Sequence, residues 1–414
     1  MTKFKINHIR IAKTVGILLL ALMQIFIAQY FVLKAIMLLL LIILCGKSNN
    51  IATPVKILCA FLCISTLWGI LIGCLKGTEN PFQYFFLGLG WPVLSLFILL
   101  PLLKTENDFK SLFHYYFYIH TFVILYDIGF AFSTIFGFPF YNLYPEVEIG
   151  FTLYDTSSRM NFANLNVLTY TVPIYFMIYL SNYDIRINRF FQFVMVLLSL
   201  FLIIFCGRRS LMGLFIYTPI MALLFRKQLP KETSQNIVYF FTPIFAIIIC
   251  ALLYIFIVQT DVFWGYVDTF TKAFDSSEEP LKFRQARMLY NEFLDSPFCG
   301  QGAGKYFYDT VRHYRSSNFE IVYLLILATR GMIGFLFYIL GIWGPLFVGL
   351  KIAVKKKDTI FLFMLISYSY IIMAEISNPI MNGFDLILPL LFNYAKINSL
   401  YLESIRTRKK IYNH

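Results

Sequence analysis

The feature that most constrains this chain is a succession of long apolar runs, broken by charged residues only at intervals. A bilayer hydrocarbon core about 30 Å thick needs roughly 20 apolar residues per helical crossing, and run after run in these 414 residues meets that length. Inside lipid every backbone N–H and C=O must be satisfied within the segment, which leaves helices or a closed barrel. The runs are continuous rather than alternating, so helices are expected. Composition agrees: 59% of the chain is hydrophobic and 14% charged, against about 45–50% and about 25% in soluble domains. The predicted fold class is an all-α integral membrane protein. The basic start (Lys3, Lys5, Arg10, Lys13) leads into an apolar run with no small-residue cleavage site behind it, so that run reads as a retained first span.

The predicted spans number about twelve. Two short ones lie within 14–45, parted near Gln29 to Lys34, followed by 54–75, 82–103, 111–136, 161–181, 190–206, 210–225, 236–258, 319–350, 358–377 and 384–401. The 319–350 block is too long for one straight crossing and is expected to begin as an interfacial segment. Reading 14–45 as one helix would move every later loop to the other side. Charge decides between the two options, because inner loops carry the Lys/Arg excess. With two spans there and the N-terminus inside, 22 of the 35 Lys and Arg fall in short inner segments. Arg226-Lys227, Lys355-Lys356-Lys357 and Arg408-Lys409-Lys410 then lie on the same side. The expectation is a multi-pass protein of the bacterial inner membrane with both termini cytoplasmic. On this reading the net charge of +13 orients the chain in the membrane and is not a nucleic-acid footprint.

Three parts follow: residues 1–258 with the first nine spans, a large outer (periplasmic or extracellular) loop at 259–318, and 319–414 with the last three spans and a basic cytoplasmic tail. A second outer connection, 137–160, is rich in Gly, Pro and Tyr. Long loops usually carry function. The seven cysteines are scattered, without a CxxC or a Cys/His cluster, so neither a zinc site nor a disulfide framework is predicted. No metal and no cofactor are expected.

Arg159, Arg208, Arg209, Arg284, Arg287, Arg312 and Arg315 all fall on the predicted outer side, where topology alone disfavours positive charge in short loops. Arg208-Arg209 occupies a turn of about three residues between two spans. Two guanidiniums at a membrane boundary must snorkel, pair with an acid such as Asp275, Glu278 or Glu279, or meet an anionic ligand. Arginine binds phosphate with two parallel hydrogen bonds, so a phosphate-bearing ligand is the functional reading. Residues 281–295 have helical character, which puts Arg284 and Arg287 one turn apart on one face. Gly300-x-Gly302-x-Gly304 then reads as a tight turn or as backbone built for close approach to a ligand. Glu320 is a candidate general base. The alternative is a first-turn charge in a helix capped by Ser317 or Asn318. His313 is the only histidine of the large loop. Ionisable residues within the spans are few, chiefly Arg330 and Glu375, then Asp127 and Lys34.

Four local pieces resemble the bacterial O-antigen polymerase and ligase superfamily, over roughly residues 155–345. They are Arg159-Met-Asn-Phe-Ala-Asn-Leu-Asn166; Cys206-Gly-Arg-Arg-Ser-Leu211; Arg284 and Arg287 followed by Pro297 and the glycine run; and Ser317-Asn-Phe-Glu320 leading to Gly331-Met-Ile-Gly334. Fifteen residues separate Arg284 from Gly300, a spacing that family's polymerases often show. The family's ligases tend to carry a His-Asn pair where this chain reads Ser317-Asn318, with His313 four residues before Ser317. That departure favours polymerase over ligase.

The resemblance implies a GT-C-like architecture and a metal-independent glycosyltransferase. Its donor would be a growing glycan on undecaprenyl pyrophosphate, and its acceptor one new lipid-linked repeat unit. The product would be a surface polysaccharide such as O-antigen, capsule or exopolysaccharide, and a chain-length regulator is a possible partner. By that analogy Arg208, Arg209, Arg284 and Arg287 meet the pyrophosphate and Arg159 a phosphate or sugar. Glu320 is the base with His313 behind it, and Gly300 and Gly302 line the substrate. A flippase of the lipid-linked repeat is the reading from another class, and would call for charged cavities within the spans and a repeat symmetry absent from this sequence.

Overall fold

The computed structural model describes residues 2–26, 29–45, 50–144, 150–154, 157–162, 164–206, 209–244, 281–309, 314–317, 319–376 and 387–412. The described residues are mostly helical, with four helices among them long and apolar enough to cross a membrane and six shorter apolar ones. In chain order the helices are α1 (Thr2–Ile25), α2 (Phe31–Cys45), α3 (Thr53–Lys76), α4 (Trp91–Leu102), α5 (Glu106–Phe136), α6 (Leu165–Leu180), α7 (Arg189–Phe205), α8 (Arg209–Met212) and α9 (Leu214–Leu224). Residues 232–244 form α10. Then follow α11 (Leu281–Leu294), α12 (Val322–Lys356), α13 (Thr359–Ala374) and α14 (Leu388–Tyr412). The four longest candidates are residues 8–25 of α1, with α3, α5 and α12. A single π-helical turn, Phe86–Gly90, leads into α4. The predicted break within 14–45 is present, between Ile25 and Phe31. The basic tail is not a separate strand of chain, because α14 runs on to Tyr412.

Two connections, both predicted outer, depart from the all-α expectation. β1 (Gly150–Tyr154) and β2 (Ser157–Asn161) pair antiparallel within the 137–160 connection and just beyond it. β3 (Phe307–Asp309) and β4 (Tyr314–Ser316) do the same in the large loop.

Helix ends follow local chemistry. In α3, Pro54 stands in the first turn and Gly77 (φ +65°) closes the C-terminus by donating to the Cys74 and Gly73 carbonyls. Thr105 and Asp108 form a reciprocal capping box at the start of α5. Asp358 accepts from the Phe361 N–H to cap α13.

α6 and α13 are apolar on all sides and buried along nearly their whole length, so they form the centre of the bundle. Ser367 of α13 donates to the Tyr170 carbonyl of α6 across their contact. Apolar side chains of α2, including Val32 and Ile43, are instead exposed outward, as lipid-facing residues are.

Among the described residues the most extensive helix pairing is α3 against α12. Small residues let the two backbones approach: a Cβ at Gly341 would lie 3.0 Å from the Leu62 amide nitrogen, and one at Gly344 2.3 Å from Leu58. α12 is not straight. Gly331 has φ +62° and ψ −174°, which breaks the helix one third of the way along. The length predicted for the 319–350 block is thus accommodated by an interruption within the helix.

Loops gather at two ends. At one end Lys13 pairs with Asp108, Lys396 with Asp358 and Lys356 with Glu403, and Ser399 donates to the Lys104 carbonyl. At the other, the segment after α3 meets residues 296–306 and β4. The first set holds residues predicted inner and the second residues predicted outer.

Candidate functional site

The site is built from α11 upward. One side of α11 is apolar and packs on the start of α12: Leu289 is buried with Phe307, Phe319, Leu325 and Ala328 in a small core distinct from that of the bundle. The opposite side leaves Arg284 and Arg287 exposed, one turn apart as predicted. Lys282, in the first turn of α11, forms an ion pair with Glu320, Nζ to Oε2 at 3.2 Å. Two turns of α11 therefore bring three cations, Lys282, Arg284 and Arg287, to the predicted outer end, the first of them beside the Glu320 carboxylate.

The capping alternative for Glu320 is corrected by this geometry. α12 begins at Val322 with Ile321 as its N-cap and no side-chain cap, so Glu320 precedes the first turn. Its partner is a lysine of α11.

The glycine run holds α11 in place. Gly331 interrupts the hydrogen-bond ladder of α12, and the freed groups are taken by residues 297–302. Gln301 and Gly302 N–H donate to the Ala328 and Thr329 carbonyls, and the Met332 and Ile333 N–H donate to the Pro297 and Phe298 carbonyls. On the other flank Ala303 N–H donates to the Gly69 carbonyl, and Thr78 Oγ1 to the Ala303 carbonyl at 2.6 Å. Lys76 donates to the Gly300 carbonyl at 2.9 Å. For Gly300 and Gly302 the sequence allows a tight turn or backbone built for close approach to a ligand, and the close approach seen here is to this chain's own backbone. A Cβ at Gly300 would stand 2.3 Å from the Gly331 nitrogen, and one at Gly302 2.6 Å from the Gly73 Cα. Both have positive φ, +78° and +97°.

Arg315 is held beside this clamp by Glu79, with Nη2 to Oε1 at 2.6 Å, and also donates to the Tyr306 carbonyl. The Glu79 carboxyl is held below the usual carboxylate range by its own backbone N–H, then that of Tyr306, with the Arg315 guanidinium adding to them.

Other predicted residues are placed only by their backbone. Arg159 lies in β2 opposite Thr152, and Arg209 starts the single turn of α8. Arg208, Arg312 and His313 lie outside the described residues.

One residue was visible in the sequence only as an in-span charge. Arg330 directly precedes the break in α12 and is 5% exposed. Its guanidinium donates to Ser65 Oγ at 2.9 Å and lies 5.8 Å from the Tyr338 ring centre. The available signal was a cation inside an apolar run, immediately before a glycine.

No family model matches this chain, and no curated protein matches it.

Proposed function

We propose that this protein polymerises undecaprenyl-pyrophosphate-linked oligosaccharide repeat units into surface polysaccharide at the outer face of the bacterial inner membrane. The observation that carries this reading is α11. It presents Arg284 and Arg287 outward, is anchored through the glycine run to α3 and α12, and holds a carboxylate, Glu320, at its first turn. A rigid cationic helix at the predicted outer end suits a pyrophosphate leaving group, because pre-placed charge need not reorganise during reaction.

In this reaction the acceptor hydroxyl gives its proton to Glu320 and attacks the anomeric carbon of the donor sugar. The bond from that carbon to the pyrophosphate oxygen breaks, and undecaprenyl pyrophosphate departs with the electron pair. Arg284, Arg287, Arg208 and Arg209 take up its charge, Arg159 meets a phosphate or sugar, and His313 is the second candidate for the base after Glu320. About twelve crossings in a GT-C-like arrangement, with both termini cytoplasmic, belong to the same proposal. They are supported by the gathering of predicted inner and outer loops at separate ends.

The test is a gel of surface polysaccharide from a deletion strain, with lipid-linked intermediates extracted in parallel. Single repeat units without a ladder support the polymerase, and Arg208→Ala or Arg287→Ala should reproduce that loss with membrane insertion intact. Long lipid-linked chains left unattached would identify a ligase instead. An unchanged ladder would defeat the proposal.

A further inference from the structure

Below the clamp lies a cation that the proposed chemistry does not use. Arg330 lines a cavity with Thr66, Tyr84, Thr329 and Tyr338, and about 50 Å³ of it is open to the centre of a water molecule. A single water needs about 10–15 Å³ by that measure, so there is room for a group the size of one phosphate. Half-buried Tyr84, Leu87 and Gly88 also line it.

The surroundings of Arg330 are close-fitting but electrically incomplete. Its stem packs where α3 has Gly69: a Cβ there would meet Arg330 Cγ at 3.0 Å. Trp68 Nε1 donates to the Arg330 carbonyl at 3.1 Å, and Ser65 both accepts from the guanidinium and donates to the Gly334 carbonyl. Of the five N–H donors a guanidinium carries, one is thus engaged by a neutral hydroxyl, and no carboxylate among the described residues pairs with it. A buried charge without a counter-charge is costly in a membrane, and such residues mark ligand sites.

Arg330 lies beside Gly69, seven residues before the end of α3 at Lys76, which at 1.5 Å per residue is about 10 Å from that end of the helix. Of the two phosphates of a lipid diphosphate held at the α11 end, the one nearer the lipid tail would reach Arg330. We propose that Arg330 binds the lipid-side phosphate of a polyprenyl diphosphate, beneath the arginines of α11. This rests on the polymerase reading for its choice of lipid, while the anion site rests on Arg330 alone.

Binding is measured on the purified full-length protein in detergent by calorimetry, using farnesyl diphosphate, farnesol and inorganic pyrophosphate as probes. Farnesyl diphosphate should bind and farnesol should not. Arg330→Met should weaken binding at least tenfold, and Arg330→Lys by less. Ile326→Trp fills the cavity while keeping the charge, so it should also weaken binding at least tenfold, which keeps the test open if Arg330→Met does not fold. Absence of farnesyl diphosphate binding, or binding unchanged in Arg330→Met or Ile326→Trp, overturns the inference and leaves the polymerase reading intact. Inorganic pyrophosphate binding as tightly, with the same Arg330 dependence, overturns the lipid assignment in favour of a free anion. An unchanged polysaccharide ladder in the deletion strain defeats the polymerase reading without touching these affinities.

Discussion

Substituting alanine at two glycines separates backbone strain from the clamp between the large loop and α12. Gly77 and Gly300 both have positive φ, +65° and +78°. Each substitution therefore incurs the left-handed penalty of about 1 kcal/mol. At Gly77 a Cβ meets nothing within 4 Å, whereas at Gly300 it lies 2.3 Å from the Gly331 nitrogen and 2.5 Å from the Thr329 carbonyl oxygen. Those neighbours are backbone and cannot turn aside. The loop must lift, and the Gln301 and Gly302 hydrogen bonds to Ala328 and Thr329, both 2.8 Å, go with it. At about 1 kcal/mol each, the total for Gly300→Ala is about 3 kcal/mol, against about 1 for Gly77→Ala. Reversible unfolding by sodium dodecyl sulfate in mixed micelles, followed by circular dichroism, measures both. Equal stability of the two variants would refute the clamp. Gly300→Ala should also lose polymer, because α11 would no longer be held against α12.

Three further outcomes are expected. Glu320→Gln should slow repeat-unit transfer by about 100-fold while lipid-linked intermediates still accumulate, and an undiminished rate in a membrane assay would return Glu320 to a purely structural partner of Lys282. The Glu79 carboxylate has a folded pKa below its unfolded value of about 4.3, so its contribution is present above that value and is lost as pH falls through the lower folded one. Limited proteolysis of the outer loop should therefore quicken below about pH 4, and Glu79→Gln should remove that dependence. Asp358→Ala leaves the Lys396 ammonium, whose side chain is 2% exposed, without its carboxylate. It should cost about 3–5 kcal/mol in the same detergent titration, most of it restored by adding Lys396→Met.

The membrane character of the chain, the break within 14–45, the helix at 281–294 and the one-turn spacing of Arg284 and Arg287 were all legible in the sequence. Each depends on residues within a few turns of one another: an apolar run long enough for lipid, a polar interruption near Gln29 to Lys34, arginines three apart. The partners of those elements were not legible. Glu320 finds Lys282, Arg315 finds Glu79 and Arg330 finds Ser65 across separations of 38, 236 and 265 residues. The glycine run could be read as a tight turn or as a cradle for a ligand, because glycine permits close approach of any group. Whether that group is a phosphate or a helix backbone depends on where the acceptors are. Only the tertiary structure places the break at Gly331 beside residues 297–302, and a break in a helix within lipid must have its freed carbonyls and amides met from elsewhere in the chain.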